Sequence, residues 1–248
     1  MTDATPRYDL HMHSRRSYDS FSAPEAIVRA ALARGLSGIA VSDHGTIAGA
    51  VETRAAAGSR LLVIIAAEIY TNVGDLLCLF LEREIVATEA MAVIAEVHAQ
   101  GGLVILPHPL RSHPLPIPAE VLAAVDGVET LNGRAGHWSL SAGPEWAPLA
   151  GKAMMGGSDA HFASEIGTAW TAMTGPASEA NVKAQILASA TQAGGGTAPG
   201  RNFYLSQLVK MVKTGDVGMA WRLLRRAGRK AGRRLSSSAA KPPAGKVP

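Results

Sequence analysis

One apolar run after another in this chain ends in histidine or an acid, and that recurrence constrains the fold more than any other feature. Tyr8-Asp9-Leu10 leads into His11-Met12-His13, and Gly38-Ile39-Ala40-Val41-Ser42 into Asp43-His44. Leu61 to Ala67 ends at Glu68, Leu103 to Leu106 in Pro107-His108, and Lys152 to Met155 leads to Gly157-Ser158-Asp159-Ala160-His161. In His11-Met12-His13 both imidazoles fall on one face of an extended segment, because strand side chains alternate, and Met12 points the other way into packing. Residues at the ends of separate strands converge only when those ends share one face, as in a (β/α) barrel.

Between the runs lie helical stretches. Ser22 and Glu25 have the spacing of a capping box, with Pro24 in the first turn of a helix that stops at Gly35. A helix is expected from about Glu84 to Gln100, ended by Gly101-Gly102, and a short one from Pro118 to Val125. Gly127 to Leu131 reads as a strand, 135–150 as a helix broken at Gly143-Pro144, Thr168 to Met173 as a last strand and Ser178 to Gln192 as a closing helix. Leu61 to Ala67 and Leu76 to Leu81 are continuously apolar, the pattern of strands covered on both faces. Alternation of strand and helix gives an α/β class with about seven βα-type units. Residues 1–193 form the expected catalytic domain, 194–200 a glycine-rich linker, 201–235 a basic amphipathic helical segment and 236–248 a disordered tail.

Composition decides which metal chemistry is open. Cys78 is the only cysteine, so a cysteine-rich zinc site and an internal disulfide are both excluded and any ion must be held by nitrogen and oxygen. The N-terminus shows no basic and apolar leader and no apolar run approaches the ~20 residues of a membrane helix, so a cytoplasmic enzyme is expected. The net charge of +4 hides a division: from residue 201 onward twelve Lys or Arg face one acid, Asp216, a surplus of +11, whereas residues 1–200 carry −7. The body is acidic and the tail basic.

The collected ligand-type residues are His11, His13, Asp19, His44, Glu68, Asp75, His108, Asp159 and His161. One ion takes three or four protein ligands and leaves a position open, so this set can hold two or three divalent ions with some carboxylates bridging. Paired cations serve in-line displacement at phosphorus, and they lower the pKa of water toward neutrality. No Ser-His-Asp arrangement is visible around Ser14 or Ser17, both of which read as turn hydroxyls.

The set resembles the polymerase and histidinol phosphatase (PHP) superfamily, through Asp9-Leu10-His11-Met12-His13-Ser14, Ser42-Asp43-His44-Gly45-Thr46-Ile47, Ala67-Glu68-Ile69, Leu106-Pro107-His108-Pro109 and Gly157-Ser158-Asp159-Ala160-His161. The resemblance covers roughly residues 8–192, including the family's PHP-associated C-terminal region. It implies a distorted (β/α)7, TIM-like barrel and a trinuclear or binuclear centre that hydrolyses phosphoesters. It implies further that one ion takes His11, His13, Glu68 and Asp159, a second Glu68 as a bridge with Asp75 and His108, and a third Asp19, His44 and His161. Glu68, Asp159 and His161 are the expected catalytic residues. Asp75 departs from the family pattern, in which many relatives carry histidine, and Asp19 stands in a slightly different context. Oxygen at both positions tilts the choice among Mn, Zn, Fe and Mg toward Mn or Mg.

Asp43 is the candidate to orient an imidazole from behind. Arg111, Arg134 or Arg15 could fork onto a phosphate, with Glu129 and Asn132 as further supports or substrate contacts. His98, His113 and His137 read as ordinary residues. The substrate expected first is a nucleotide or oligonucleotide phosphate, cut as a phosphatase or 5′-to-3′ exonuclease would. A sugar or histidinol-type phosphate monoester comes second. A metal-loaded binding or regulatory module without turnover is the rival of another class. The tail beyond Gly200 is expected to contact RNA, DNA or an anionic surface and to be dispensable for hydrolysis of a small ester.

Overall fold

The computed structural model describes residues 5–111, 113, 116–139 and 144–216. Among the described residues ten strands form one mixed sheet in the order β10-β9-β1-β2-β3-β4-β5-β6-β7, with β8 on the other edge of β6. They are β1 Arg7–Asp9, β2 Gly38–Val41, β3 Leu62–Thr71, β4 Gly74–Leu79, β5 Leu103–Leu106, β6 Gly127–Asn132, β7 Gly136–His137, β8 Ala153–Gly157, β9 Ala169–Ala172 and β10 Gln192–Gly195. The helices are α1 Pro24–Ala33, α2 Ala48–Ala57, α3 Ala90–Ala99, α4 Ala119–Ala124, α5 Glu179–Leu187 and α6 Arg201–Thr214. The sheet curls until the chain beyond β8 meets the extension of β1. There Asp159 N–H donates to His11 O at 2.7 Å and His13 N–H to Ala160 O at 2.8 Å.

The continuous apolar runs are explained by cover on both faces. Ile39, Val41, Val63, Ile65, Leu76, Cys78, Val104 and Leu106 pack outward with α1, α2, α3 and α4. Their neighbours Ala40, Ile64, Ala66, Leu77, Leu79, Leu103 and Ile105 pack inward with Val182 and Ile186 of α5. Glu68 continues the inward row of Ile64 and Ala66, which is how β3 carries a carboxylate to the rim. On the first run, Tyr8 and Leu10 lie in the inner cluster but Met12 in the outer one. The alternation therefore breaks between them, and His11 and His13 turn inward.

The α/β class stands, but the strands do not follow seven βα repeats. β3 and β4 pair antiparallel, as do β4 and β5. Only Asn72 and Val73 separate β3 from β4, far too short a link for a parallel crossover. Ser22 does not close a capping box: α1 begins after Ala23 with no side-chain cap, and Ser22 Oγ donates to His161 O at 3.2 Å. Residues 84–89 are not helical, because their polar groups bond elsewhere. Glu84 accepts from Ile47 N–H at 3.0 Å, and Glu96 from Ala87 N–H at 2.9 Å.

The helix expected over 135–150 is instead the β6–β7 hairpin followed by a 3-10 turn, Pro144–Leu149, with 140–143 outside the described residues. Gly194 and Gly195 are not linker but part of β10, paired with Trp170 and Ala169. A Cβ on Gly194 would lie 2.3 Å from the Trp170 ring, so glycine there permits close packing. The basic segment is helical over α6, which folds back onto the body; the expectations for 217–235 and 236–248 fall outside the described residues.

Candidate metal centre

All nine ligand-type side chains meet at one end of the curled sheet. Their donor atoms form four overlapping groups in which every atom lies within 4.8 Å of the others: His13 with Asp19, His44 and His161; His11 with His108 and Asp159; His11 with His13 and Glu68; and Glu68 with Asp75 and His108. Glu68 is the hub. One carboxylate oxygen is 3.6, 3.5 and 3.2 Å from ring nitrogens of His11, His13 and His44, and the other is 3.0 Å from His108 Nε2. Asp19 Oδ2 sits between His161 Nε2 at 3.0 Å and His44 Nε2 at 3.4 Å. Asp159 Oδ1 is 3.3 Å from His13 Nε2.

These positions are built with backbone strain and close approach. Asp159 and His108 adopt φ of +52° and +28°, a region that residues with a side chain seldom occupy. A Cβ on Gly157 would stand 2.5 Å from Glu129 Oε1 and 2.6 Å from His11 Cβ. Only glycine lets β8 pass that close behind the first histidine.

The side chains behind the ligands fix which nitrogen faces the centre. Glu129 Oε1 accepts from His11 Nδ1 at 2.9 Å, which leaves Nε2 as the free lone pair. Asp43 acts one step further back than expected. It accepts from Ser17 Oγ at 2.8 Å, and Ser17 Oγ in turn accepts from His13 Nδ1 at 3.1 Å. Asp43 also accepts from Ser14 N and Oγ, at 2.7 and 2.6 Å. Ser17 is thus a relay and not a bare turn hydroxyl. Asp9 went unsingled in the sequence: its buried carboxylate accepts from Ser158 N at 2.9 Å and Gly167 N at 2.7 Å, tying β1 to the chain after β8. Burial outweighs those hydrogen bonds and pushes Asp9 up to about 6.

The donor set fits divalent cations. His11 Nε2, His13 Nε2, His108 Nδ1, Asp19 Oδ1 and Asp159 Oδ1 are buried without a hydrogen-bond partner, in a fold where such groups are normally paired. Burial would push Glu68 up, but the imidazoles of His11 and His44 hold it well below the carboxylate range. Asp159 is likewise held down against burial, by Arg111 first and then His11. Burial and the nearby His161 and His44 push His13 down to about 3, whereas the surrounding carboxylates, against burial, push His11 well up and His44 up to about 9, protons that a bound cation would displace. Buried carboxylates crowded this way call for positive charge between them.

The remaining candidates divide. A cleft of about 380 Å³ opens over the centre, lined by Arg111 and Arg134 together with Tyr18, Tyr70 and, from α6, Phe203, Gln207 and Lys210. Arg111 donates to Asp159, and Arg134 donates to Ser206 Oγ at 2.6 Å on α6. The Asn132 amide is already engaged. Its Nδ2 donates to Glu129 at 3.0 Å and Asp159 at 3.4 Å, while its Oδ1 accepts from the backbone of Arg134 and Ala135. Arg15 is exposed and pairs with Glu52, away from the cleft. His98 pairs with Asp126, and His113 bonds to backbone carbonyls. No helix among the described residues is long and apolar enough to cross a membrane.

Comparison with known proteins matches residues 9–106 to the PHP domain and 144–191 to the PHP-associated region. The uncharacterized protein MJ1587 of Methanocaldococcus jannaschii is 34% identical over 113 residues, 41% of this chain and 66% of that protein, just under two thirds of its length. Among solved structures, a two-domain Bacteroides vulgatus protein containing a predicted PHP-like metal-dependent phosphoesterase superposes with TM-score 0.64 at 19% identity, over 82% of this chain and 69% of that one. PsfC from Pseudomonas syringae superposes with TM-score 0.59 at 18% identity, over 84% and 98%. At these identities the likeness is one of fold.

Proposed function

For a chain that belongs to the PHP family, with both its domain and its associated region, we propose metal-dependent hydrolysis of a phosphate ester. The observation that carries this reading is the set of nine ligand-type side chains whose donor atoms lie within 4.8 Å of one another in four groups joined through His11, His13, Glu68 and His108, with Nε2 of His11 and His13 and Oδ1 of Asp159 unpartnered among the described residues. His11, His13, Glu68 and Asp159 would hold one ion, Glu68, Asp75 and His108 a second, and Asp19, His44 and His161 a third. Ions there supply Lewis acidity and an activated water. The chain's own residues do the rest. Glu129 and the Asp43–Ser17 relay keep His11 and His13 in the tautomer that presents Nε2. Glu68, Asp159 and His161 would each hold an ion and line the cleft, as Asp19, His44 and Asp75 also do, which puts them beside the reacting phosphate. Arg111 and Arg134 bring guanidinium groups to the same cleft, suited to non-bridging phosphate oxygens.

The substrate we propose is a nucleotide or oligonucleotide bearing a terminal phosphate, its base lying against the aromatic rings of Tyr70 and Phe203 that line the cleft. The modest cleft volume supports a second reading, a sugar or histidinol-type phosphate monoester. The test is phosphate release from p-nitrophenyl mono- and diesters, mononucleotides, histidinol phosphate and short 5′-phosphorylated RNA, each with Mn, Zn, Fe or Mg, alongside elemental analysis. Two or more ions per chain with turnover of any ester supports the reading. Ions without turnover on the whole panel would leave a binding module, and less than one ion per chain after reloading would remove the metal centre.

A further inference from the structure

Phe203, Gln207 and Lys210, at i, i+4 and i+7 on α6, all line the cleft over the ligand cluster. The helix is fastened beside that cleft at both ends. Near its start, Arg134 donates to Asn202 O at 3.2 Å and to Ser206 Oγ, and its guanidinium lies over the Phe203 ring at 5.6 Å. At its end, Lys213 donates to Arg15 O at 2.7 Å, to Ser17 O and to Ser20 O at 3.0 Å. Those three carbonyls belong to the loop that carries Asp19 and the relay hydroxyl of Ser17. Between the two fastenings, the Lys210 ammonium lies 4.3 Å from the Tyr18 ring centre, and Tyr18 stacks on His44 at 4.5 Å with 7° between the planes.

A helix fastened at both ends to the loops that carry the site is not a detached arm. From this arrangement we propose that α6 is a wall of the active-site cleft, and that Lys210 is its substrate-contacting cation, directed at the phosphate. The inference rests on the phosphoesterase reading for its substrate but on the fold for its geometry. Lys210 is suited to the task because it lines the same cleft as Glu68, Asp159 and His161. Its present contact, a ring face, is weaker than a charge-assisted bond to phosphate oxygen. An entering phosphate can therefore recruit the ammonium without first breaking a buried ion pair.

The experiment uses the full chain loaded with Mn. Lys210→Met keeps the aliphatic stem over Tyr18 and removes the charge, and Lys210→Arg restores the charge. Inorganic phosphate binding, measured by calorimetry, should weaken by roughly tenfold in Lys210→Met, the size of one charge-assisted contact, and recover in Lys210→Arg. KM for a small phosphomonoester should rise by a similar factor with kcat little changed, and metal content should stay at the parent value. Phosphate affinity and KM within about twofold of the parent would overturn the assignment of Lys210. Loss of metal in Lys210→Met would overturn it too, by showing a structural role. A parent that binds phosphate through Lys210 yet hydrolyses no ester would break the phosphoesterase reading and leave this one standing.

Discussion

The floor and the wall of the cleft are built by opposite means. On the floor, His11, Glu68 and Asp159 are almost wholly buried, His11 and Asp159 just past the ends of β1 and β8 and Glu68 within β3. Carboxylates, hydroxyls and backbone groups behind them leave little rotamer freedom. On the wall, Phe203 is 37% exposed and Lys210 is half-buried, and α6 is held by a handful of side-chain contacts. A centre that positions ions needs fixed donors, whereas a surface that meets a variable organic group can be looser. The difference predicts that changes on the floor alter metal binding and turnover together, while changes on the wall alter substrate binding or local order alone.

Glu68→Gln should break the floor most. The amide keeps the shape but loses the charge shared among four histidines, so activity should fall at least on the order of 10²-fold, the loss that follows removal of one charge-stabilising group. Elemental analysis should show at least one ion missing. Activity within a few-fold of the parent would show that Glu68 is not the hub. Glu129→Gln tests the layer behind. It removes the anion that orients His11, and metal affinity should drop by about 10- to 100-fold. An isothermal titration with Mn that gives the parent affinity would mean that Glu129 only fills space.

Asp75→His exchanges oxygen for nitrogen at the edge of the floor. The expected outcome is retained metal with preference moved toward Zn, since imidazole suits Zn better than it suits Mg. Competition between Mn and Zn for the loaded protein measures this directly. An unchanged preference in Asp75→His, together with unchanged metal content in Asp75→Ala, would place Asp75 outside the coordination sphere.

The floor was legible in the sequence and the wall was not, for physical reasons. An apolar run that ends in a ligand-type residue carries its meaning locally, so His11, His44, Glu68, His108 and Asp159 could be collected without a fold. Ser17 could not be understood that way, because its role depends on Asp43 and His13 arriving from either side. Gly194 misled because glycine serves both flexible links and tight packing, and the Trp170 ring that decides the matter lies in another strand. The antiparallel β3–β4 pair was hidden because both strands are covered on two faces, so neither shows the polar alternation of a hairpin. For α6 the basic composition pointed to a surface for RNA, DNA or another polyanion beyond a glycine-rich linker. Two of its lysines are instead directed at the site, Lys210 into the cleft and Lys213 onto the Asp19 loop.

Lys213 gives the smallest effect and the finest test of the comparison. Its three acceptors are backbone carbonyls of a loop already stitched by Ser20, whose Oγ donates to His13 O at 3.0 Å and His161 O at 2.8 Å. The loop therefore has its own anchorage to the floor, but the end of α6 depends on Lys213. Lys213→Met should cost only about 1 kcal/mol of local stability, the usual net worth of a partly exposed hydrogen-bonded group. That change should appear as faster amide exchange over residues 209–214, with exchange at His11 to Ser14 and at Asp159 unaltered. Metal content should hold as well. If exchange quickens equally at the floor, then α6 and the ligand rim unfold as one unit, and the distinction between a rigid floor and a separately held wall fails.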